Sequence, residues 1–163
     1  MELPVNDYQI LKLTDEFYQK YPNPPFTEIL KKNKRAYTCI LFQTHYDFYI
    51  CVPFRSEITH KYAFHFKNSS RSKVHKSGLD YTKIIIIADS IYIDTKDATI
   101  DQDEYNETIK NLKQIKQEAL RFVEEYITHI NGSKRLHIKE FVRRYEFSSL
   151  KYFHKEMFIG DGV

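Results

Sequence analysis

The chain has 163 residues, a length typical of one domain with a single core, and a formal net charge of only +3. It has no apolar run of the roughly 18 to 20 residues that a membrane span needs, and no basic segment followed by an apolar one at its start, which argues against a membrane protein and a secretory precursor. We therefore expect one cytoplasmic domain over residues 1–163 with no membrane partner.

The charges are distributed unevenly along the chain. Residues 31–83 carry eleven basic side chains against three acidic ones, residues 89–128 carry ten acidic against five basic, and residues 134–155 carry seven basic against two acidic. Positive charge gathered into blocks is typical of a protein that binds a polyanion, and many of the 25 Tyr and Phe residues that could stack unpaired bases lie beside these cations. The alternative is an unevenly charged, solvated surface.

The first half of the chain predicts a short helix and several strands. Thr14-Asp15-Glu16 resembles a helix start and Pro22 ends the pattern, so residues 15–21 are predicted as a helix after an extended segment at 8–13. Aromatic and β-branched residues at 37–43 and 48–54, with a short connection around His45, predict a β-hairpin. Further strands are predicted at 62–66, 83–88 and 90–94, and a mobile surface loop at 67–77.

The second half predicts helices. Apolar residues recur at helical spacing from Tyr105 to Ile130, between an N-cap pattern at Asp101 and a stop at Gly132, and predict one long helix. A second helical region at 138–158 is interrupted near Ser148. Together the elements predict an α+β fold, a compact, strongly twisted antiparallel sheet decorated by helices, with Cys39 and Cys51 buried as free thiols.

The densest cluster of reactive side chains lies at residues 53–64, where one predicted strand ends and the next begins. Arg55, Ser56, His60 and Lys61 could all be presented there by one loop. Cleavage of RNA without a metal requires removal of the 2′-OH proton, neutralisation of charge at phosphorus and protonation of the leaving 5′ oxygen. Imidazole suits the proton transfers, and guanidinium or ammonium suits the charge.

Several segments resemble the TenpN-type toxins, which belong with ToxN, CptN and AbiQ in the type III toxin–antitoxin group. The resemblance is carried by residues 21–30 with their Tyr-Pro-Asn-Pro-Pro-Phe run, by residues 34–37, by the block 54–64 and by Gly78-Leu79-Asp80-Tyr81. It is specific between about residues 8 and 88 and looser through the helical half.

The resemblance implies both a fold and an activity. It implies a sheet like that of the MazF and Kid toxins, and a metal-independent endoribonuclease that leaves 2′,3′-cyclic phosphate ends and needs no cofactor. The implied partners are a pseudoknotted RNA antitoxin cut from tandem repeats and target mRNA, with the toxin and antitoxin RNA assembled as a hetero-oligomer.

The resemblance also assigns residues. Arg35 stands where the ToxN branch has a basic active-site residue, and Ser56 stands at that branch's reactive serine. That branch has a lysine two positions after the serine, whereas this chain has Ile58, so Lys61 or Arg55 would supply the cation. His60 is not part of the ToxN pattern, and its predicted proton transfer rests on chemistry and on the TenpN-like string around it.

Other interpretations of these residues stay open. Ser56 could cap a turn, and Arg55 could pair with Glu57 or Asp80 as a purely structural contact. No His or Cys spacing resembles a metal site. The protein could also be a non-catalytic RNA-binding module, or an interaction protein that recruits a partner through its acidic 89–128 segment. The predicted RNA-binding residues are Lys31, Lys32, Lys34, Tyr37, Tyr62, Arg71, Lys73 and Lys76.

Overall fold

The computed structural model describes residues 8–31, 38–96 and 98–159, and in this part of the chain it has seven strands and five α-helices. The strands are β1 (Tyr8–Leu13), β2 (Thr38–Gln43), β3 (Tyr49–Arg55), β4 (Ala63–His65), β5 (Gly78–Asp80), β6 (Ile85–Ile87) and β7 (Ile93–Asp94). The helices are α1 (Asp15–Lys20), α2 (Ser70–His75), α3 (Gln102–Lys110), α4 (Leu112–Asn131) and α5 (Ile138–Tyr145), with 3-10 turns at Tyr81–Lys83, Ser90–Tyr92 and Ser149–Tyr152. The α+β prediction is confirmed.

The strands form one antiparallel sheet. Its order is β4-β5-β3-β2-β1-β7, and β6 also pairs with β3. The predicted hairpin is confirmed as β2 and β3, with Gln43 opposite Tyr49 and Cys39 opposite Pro53. Both cysteines are buried and free, as expected.

Strand β3 lies at the centre of the sheet and is buried from Tyr49 to Phe54. On the side away from β2 it pairs first with β6, opposite residues 49–51, and then with β5, opposite residues 54–55. The gap between these two partners falls at Val52 and Pro53. A proline has no N–H to donate and therefore fits such a gap. The change of partner brings Arg55, at the end of β3, beside β5.

Gly78 allows β4 and β5 to approach closely. A Cβ atom at this position would lie 2.2 Å from the carbonyl oxygen of Phe64, which no side chain can accommodate without a shift of the backbone. The pairing places Gly78 opposite both Arg55 and His65. The residue that ends β5, Asp80, is thereby held against the end of β3.

Helix α4 covers the sheet with one apolar face. Ile115, Ala119, Phe122, Val123 and Tyr126 are buried and follow the spacing of one face of an amphipathic helix. The side chains belong to the same cluster of buried hydrophobic residues as the strands. No helix within the described residues is long and apolar enough to cross a membrane.

The helical half differs from the prediction in the places where its helices are interrupted. The predicted long helix is two helices, because Asn111 ends α3 and precedes α4 with a backbone ψ of 20°, while its side-chain amide donates to the carbonyl of Glu107 at 2.8 Å. Asn side chains compete with helical hydrogen bonds in this way. The second region ends its α-helix at Tyr145, and Ser148 then caps the 3-10 turn at Ser149–Tyr152, which agrees with the break expected near Ser148.

The prediction of a surface loop at residues 67–77 was wrong. The segment contains α2, and acidic side chains of α3 accept hydrogen bonds from it. Glu107 accepts from the backbone N–H groups of Lys67 and Asn68 at 2.8 and 3.0 Å, and the fully buried Glu104 accepts from the hydroxyl of Ser77 at 2.6 Å. Carboxylates that lie 27 to 40 residues further along the chain therefore organise a segment that has few apolar residues of its own.

The remaining strand predictions were too long at their ends. The predicted strand 62–66 is shortened to β4. Of the predicted strand 83–88, only β6 pairs as a strand, and it follows the 3-10 turn Tyr81–Lys83. Of the predicted strand 90–94, only β7 pairs as a strand, and it follows the 3-10 turn Ser90–Tyr92. Asp89 initiates the second turn by accepting a hydrogen bond from the N–H of Ile91 at 3.0 Å. Helix α1 ends one residue before its predicted limit, at Lys20.

Candidate active site

Asp80 is the centre of a buried polar network at the end of β5. Its side chain is fully buried. Oδ2 accepts a hydrogen bond from Nη1 of Arg55 at 2.7 Å, and Oδ1 accepts from the backbone N–H and the hydroxyl of Thr82 at 2.9 and 2.6 Å. The Nε2 atom of His60 lies 3.2 Å from Oδ1. One carboxylate thus holds two side chains that the sequence predicted as catalytic.

The network keeps Asp80 ionised. Burial raises the pKa of this carboxyl, but hydrogen bonds from His60, Thr82 and Arg55 lower it further than burial raises it, so the net pKa is below its ordinary value. The salt bridge of Arg55 to Asp80 is one of the two structural pairings considered from the sequence. Arg55 keeps one third of its side chain exposed despite this contact.

Both ring nitrogens of His60 are engaged. Nδ1 accepts the backbone N–H of Tyr62 at 3.0 Å, and a nitrogen that accepts an amide N–H carries no proton. The remaining nitrogen, Nε2, is the one placed to donate a hydrogen bond to the Asp80 carboxylate. A proton transfer by His60 requires the ring to leave one of these contacts, and its catalytic role stays a prediction.

A pocket of about 300 Å³ opens beside this network. Arg55, His60 and Thr82 line it from the sheet side, and residues in the last turn of α5 and just after it line the other side. The other lining residues are Glu28, Glu57, Thr59, Tyr62, Lys83, Arg143, Arg144 and Phe147. The volume lies at the lower end of the range for ligand-binding pockets.

Four cations line the pocket, and each of them contacts a carboxylate. Lys83 is nearly buried, and its Nζ donates to Oε1 of Glu28 at 2.8 Å and to the carbonyl of Phe147 at 2.7 Å. Arg144 pairs with Glu125 and Glu140. Arg143 also contacts Glu140 but leaves 61% of its side chain exposed, so Arg55 and Arg143 are the cations that an incoming anion can reach.

Two hydroxyl groups near the network have no hydrogen-bond partner among the described residues. Both the hydroxyl of Tyr62, which lines the pocket, and that of Ser56, which follows β3, are buried. The Ser56 hydroxyl therefore caps no turn here, which removes one structural explanation for this serine. Ser56 itself does not line the pocket.

The other predicted site residues are dispersed. Lys61 is exposed, with its Nζ 5.6 Å from the ring centroid of Tyr62, and does not line the pocket. Arg71 forms a salt bridge with Asp101 at 2.9 Å. Lys31, Lys73 and Lys76 are exposed, and the predicted residues Lys32, Lys34, Arg35 and Tyr37 lie outside the described residues.

The loop after β3 contacts the end of α2. The backbone N–H of Glu57 donates to the carbonyl of His75 at 2.5 Å, that of Ile58 donates to the carbonyl of Lys76 at 3.1 Å, and the Glu57 carboxylate lies 2.9 Å from Nδ1 of His75. Two segments that carry predicted RNA-binding residues, the 55–62 loop and the 67–76 segment, are therefore adjacent.

Four residues of the pocket were not predicted from the sequence, Thr82, Lys83, Arg143 and Arg144, and Asp80 was predicted only as a structural partner of Arg55. The Gly78-Leu79-Asp80-Tyr81 string was already part of the family resemblance and could have pointed to Asp80. Nothing in the local pattern of α5 distinguishes Arg143 and Arg144 from a solvated helix face, because their place at the pocket depends on tertiary packing, in which Arg144 pairs with Glu125 of α4.

No group of three or more His, Cys, Asp or Glu side chains in the described residues is arranged to hold a metal ion. Comparison of the chain with protein-family models, with curated proteins and with solved structures found no match. The pocket and its network are therefore the observations on which a function can be proposed.

Proposed function

We propose that this protein is a metal-independent endoribonuclease, the toxin of a type III toxin–antitoxin pair, and that it cleaves RNA in the pocket beside Asp80. The observation that supports this most is the buried Asp80 carboxylate, which fixes Arg55 at the edge of a pocket lined by three further cations. A fixed, partly exposed guanidinium suits a phosphodiester, because its remaining N–H donors can bind the non-bridging oxygens.

Arg55 would stabilise the transition state. Attack of the ribose 2′ oxygen on phosphorus builds negative charge on the phosphoryl oxygens, and a donor that is already oriented by Asp80 needs no reorganisation at that moment. Arg143, which is exposed on the opposite wall, would hold the phosphate of a neighbouring nucleotide. The two cations thus divide transition-state stabilisation and positioning between them.

His60 would carry out the proton transfers, and the two unpartnered hydroxyls would act as hydrogen-bond donors. Nδ1 of His60 takes the 2′-OH proton once the ring leaves the N–H of Tyr62, the 2′ oxygen bonds to phosphorus, and the same proton passes to the departing 5′ oxygen. The products are a 2′,3′-cyclic phosphate and a 5′-OH end. The hydroxyl of Tyr62, which lines the pocket, would donate a hydrogen bond to the phosphoryl group, and that of Ser56 would do so after a rearrangement of the loop that follows β3.

The finer features of the proposal come from the resemblance. They are a ToxN-like and MazF-like twisted sheet, a pseudoknotted antitoxin RNA, mRNA as the cellular target and a toxin–RNA hetero-oligomer in the cytoplasm. The central antiparallel hairpin and the adjacency of the 55–62 loop to α2 agree with a basic RNA-binding surface beside the pocket.

A second candidate is an RNA-binding module without catalysis. It is favoured by the engagement of both nitrogens of His60, which leaves no free base in the arrangement described. The same cations would then bind phosphate only.

Incubation of the purified protein with random-sequence single-stranded RNA in excess EDTA separates the two candidates. The proposal predicts cleavage in EDTA with 2′,3′-cyclic phosphate ends, identified by their conversion to 3′-hydroxyl ends with a cyclic-phosphate-removing phosphatase. Salt-sensitive RNA binding without cleavage at any protein concentration would establish the binding module instead. Cleavage only with added Mg²⁺ would contradict the proposed chemistry.

A further inference from the structure

A second cavity, also of about 300 Å³, lies between α1, β6 and the residues that follow the last 3-10 turn. It shares no lining residue with the pocket beside Asp80. Its walls are aromatic and aliphatic, and its charged lining residues are two lysines and two carboxylates, Lys20, Lys155, Asp89 and Glu156.

Aromatic residues form one wall of the cavity in tilted and edge-to-face contact, with Phe17 and Tyr21 buried and Tyr92 half-buried. The ring of Phe17 lies with its centroid 5.0 Å from that of Tyr21 and 6.0 Å from that of Tyr92. Phe158 adds a fourth ring that is 70% exposed, on a backbone with φ of +60°. A bulky residue rarely adopts positive φ, and such conformations concentrate at binding sites. The strained backbone therefore presents an exposed ring at the edge of a cavity.

Glu156 provides an unused acceptor in this cavity. Oε1 accepts a hydrogen bond from the hydroxyl of Tyr21 at 3.3 Å, and burial, together with Glu156, raises the pKa of that phenol, so Tyr21 keeps its proton and donates. Oε2 is buried and has no hydrogen-bond partner among the described residues. A buried carboxylate oxygen without a donor is unfavourable, and a ligand N–H would satisfy it.

Lysine side chains supply positive charge beside the aromatic rings. The Nζ atom of Lys20 lies 5.5 Å from the ring centroid of Tyr21 and 5.4 Å from that of Tyr92. Lys155 lines the same cavity. Aromatic faces next to cations are the arrangement by which proteins bind single-stranded nucleic acid, since the base stacks and the phosphate pairs with the cation.

From this arrangement we infer that the cavity binds one unpaired guanine base of an RNA strand, with Glu156 accepting hydrogen bonds from its Watson–Crick edge. Guanine presents adjacent N1–H and N2–H donors to a carboxylate, whereas adenine and cytosine each place a ring-nitrogen acceptor on that edge and uracil places two carbonyl oxygens there. The inference rests on the proposed function, because it makes RNA the ligand, and it adds a base preference away from the cleavage pocket.

The test is a titration of the full chain with each of the four 5′-mononucleotides, followed by NMR. GMP should bind about tenfold more tightly than AMP, because only guanine donates hydrogen bonds to the charged Glu156 carboxylate and such bonds are stronger than neutral ones. Glu156→Gln should bring GMP affinity down to that of AMP, because the amide offers a donor where guanine needs an acceptor. Glu146→Gln, at an exposed position outside the cavity, should keep the preference for GMP. Phe158→Ala should lower the affinity for all four nucleotides by a similar factor.

The inference is overturned by equal affinity for the four nucleotides, or by a guanine preference that survives Glu156→Gln. Cleavage of random-sequence RNA by the same preparations separates the two proposals. Cleavage without a guanine preference contradicts the cavity assignment alone. A guanine preference that Glu156→Gln removes, in a protein that binds RNA but never cleaves it, supports the cavity assignment and contradicts the nuclease.

Discussion

Asp80 explains how residues far apart in the chain act together. Its carboxylate has four hydrogen-bond contacts, from Arg55, His60 and twice from Thr82, and it lies at the end of a strand that pairs directly with β3. Removal of one partner from a buried ion pair leaves the other without compensation, which typically costs about 3–5 kcal/mol. The network is therefore a structural support as well as the scaffold of the pocket.

Replacement of Asp80 by Asn should destabilise the protein in a pH-dependent way. The pKa of Asp80 is lowered in the folded state, so its contribution to the free energy of unfolding is fully present above the unfolded pKa of about 3.9 and is lost as pH falls through the folded pKa. Urea unfolding should show Asp80→Asn to be less stable by about 3 kcal/mol at neutral pH. The difference should shrink in acid, and a constant difference down to pH 2 would refute this account.

Ser56 tests whether an unpartnered hydroxyl contributes to catalysis. If it donates to the phosphoryl group, Ser56→Ala should lower the rate of RNA cleavage by about 10² to 10³, the usual cost of removing an oriented transition-state donor, while RNA affinity stays nearly unchanged. The loss of one neutral hydrogen bond matters little at an interface dominated by phosphate charge. Ser133→Ala, at an exposed position, serves as the control. Cleavage at the wild-type rate would remove Ser56 from the site.

At the level of elements, acidic α3 acts as a clamp on the basic segment that contains α2. Glu107 accepts two backbone N–H groups, Asp103 accepts that of Ser70 at 2.8 Å, and Asp101 pairs with Arg71. The acidic block therefore has an internal role, and the carboxylates of these three residues are occupied by the chain itself rather than offered to a partner protein. Arg71 loses part of its availability for RNA by the same contact.

Glu107→Gln should loosen this clamp. The amide keeps one oxygen acceptor but turns an NH2 group towards a backbone N–H, which should cost about 1–3 kcal/mol for the group left unsatisfied. Hydrogen exchange followed by mass spectrometry should show faster exchange at residues 67–76, with β2 and β3 unchanged. Glu16→Gln, at an exposed position of α1, should leave the exchange pattern as in wild type. Unaltered exchange at 67–76 in Glu107→Gln would contradict the clamp.

Elements with a local pattern could be predicted from the sequence, and those that depend on distant partners could not. The β2–β3 hairpin was predictable because both strands and their connection are contiguous, and α4 because its apolar spacing is regular. The break at Asn111 was missed because the apolar spacing of Tyr105, Ile109 and Leu112 continues across it. Helix α2 was missed because its stabilising acceptors lie on α3 and it has almost no apolar residues of its own.

The candidate site shows the same limit. The reactive loop after β3 could be located from its composition, and Arg55, His60 and Tyr62 do meet at one pocket. The opposite wall could not be predicted, since Arg143 and Arg144 come from a helix more than eighty residues away in the chain. Lys61 was predicted as a site residue because it follows His60 in the sequence, but its side chain is exposed and does not line the pocket.

For the whole molecule, the fold brings cations from two separately basic segments to one pocket. The basic segment 31–83 supplies Arg55 and Lys83, and the basic segment 134–155 supplies Arg143 and Arg144. Carboxylates from the acidic segment 89–128 and from Glu28 and Glu140 hold several of these cations in place. Because each of the four cations contacts a carboxylate, an incoming anion meets mainly the exposed parts of Arg55 and Arg143.

Single-turnover cleavage of one defined RNA in EDTA by wild type, Arg55→Ala and Arg121→Ala, with RNA binding measured in parallel, tests most directly whether this pocket is the site of RNA cleavage. Arg121 is an exposed arginine of α4 outside the pocket and controls for the loss of one positive charge. We expect Arg55→Ala to cleave at least about 10²-fold more slowly than wild type, with a much smaller loss of affinity, and Arg121→Ala to cleave normally. Equal cleavage rates for the two variants would contradict the assignment of the pocket.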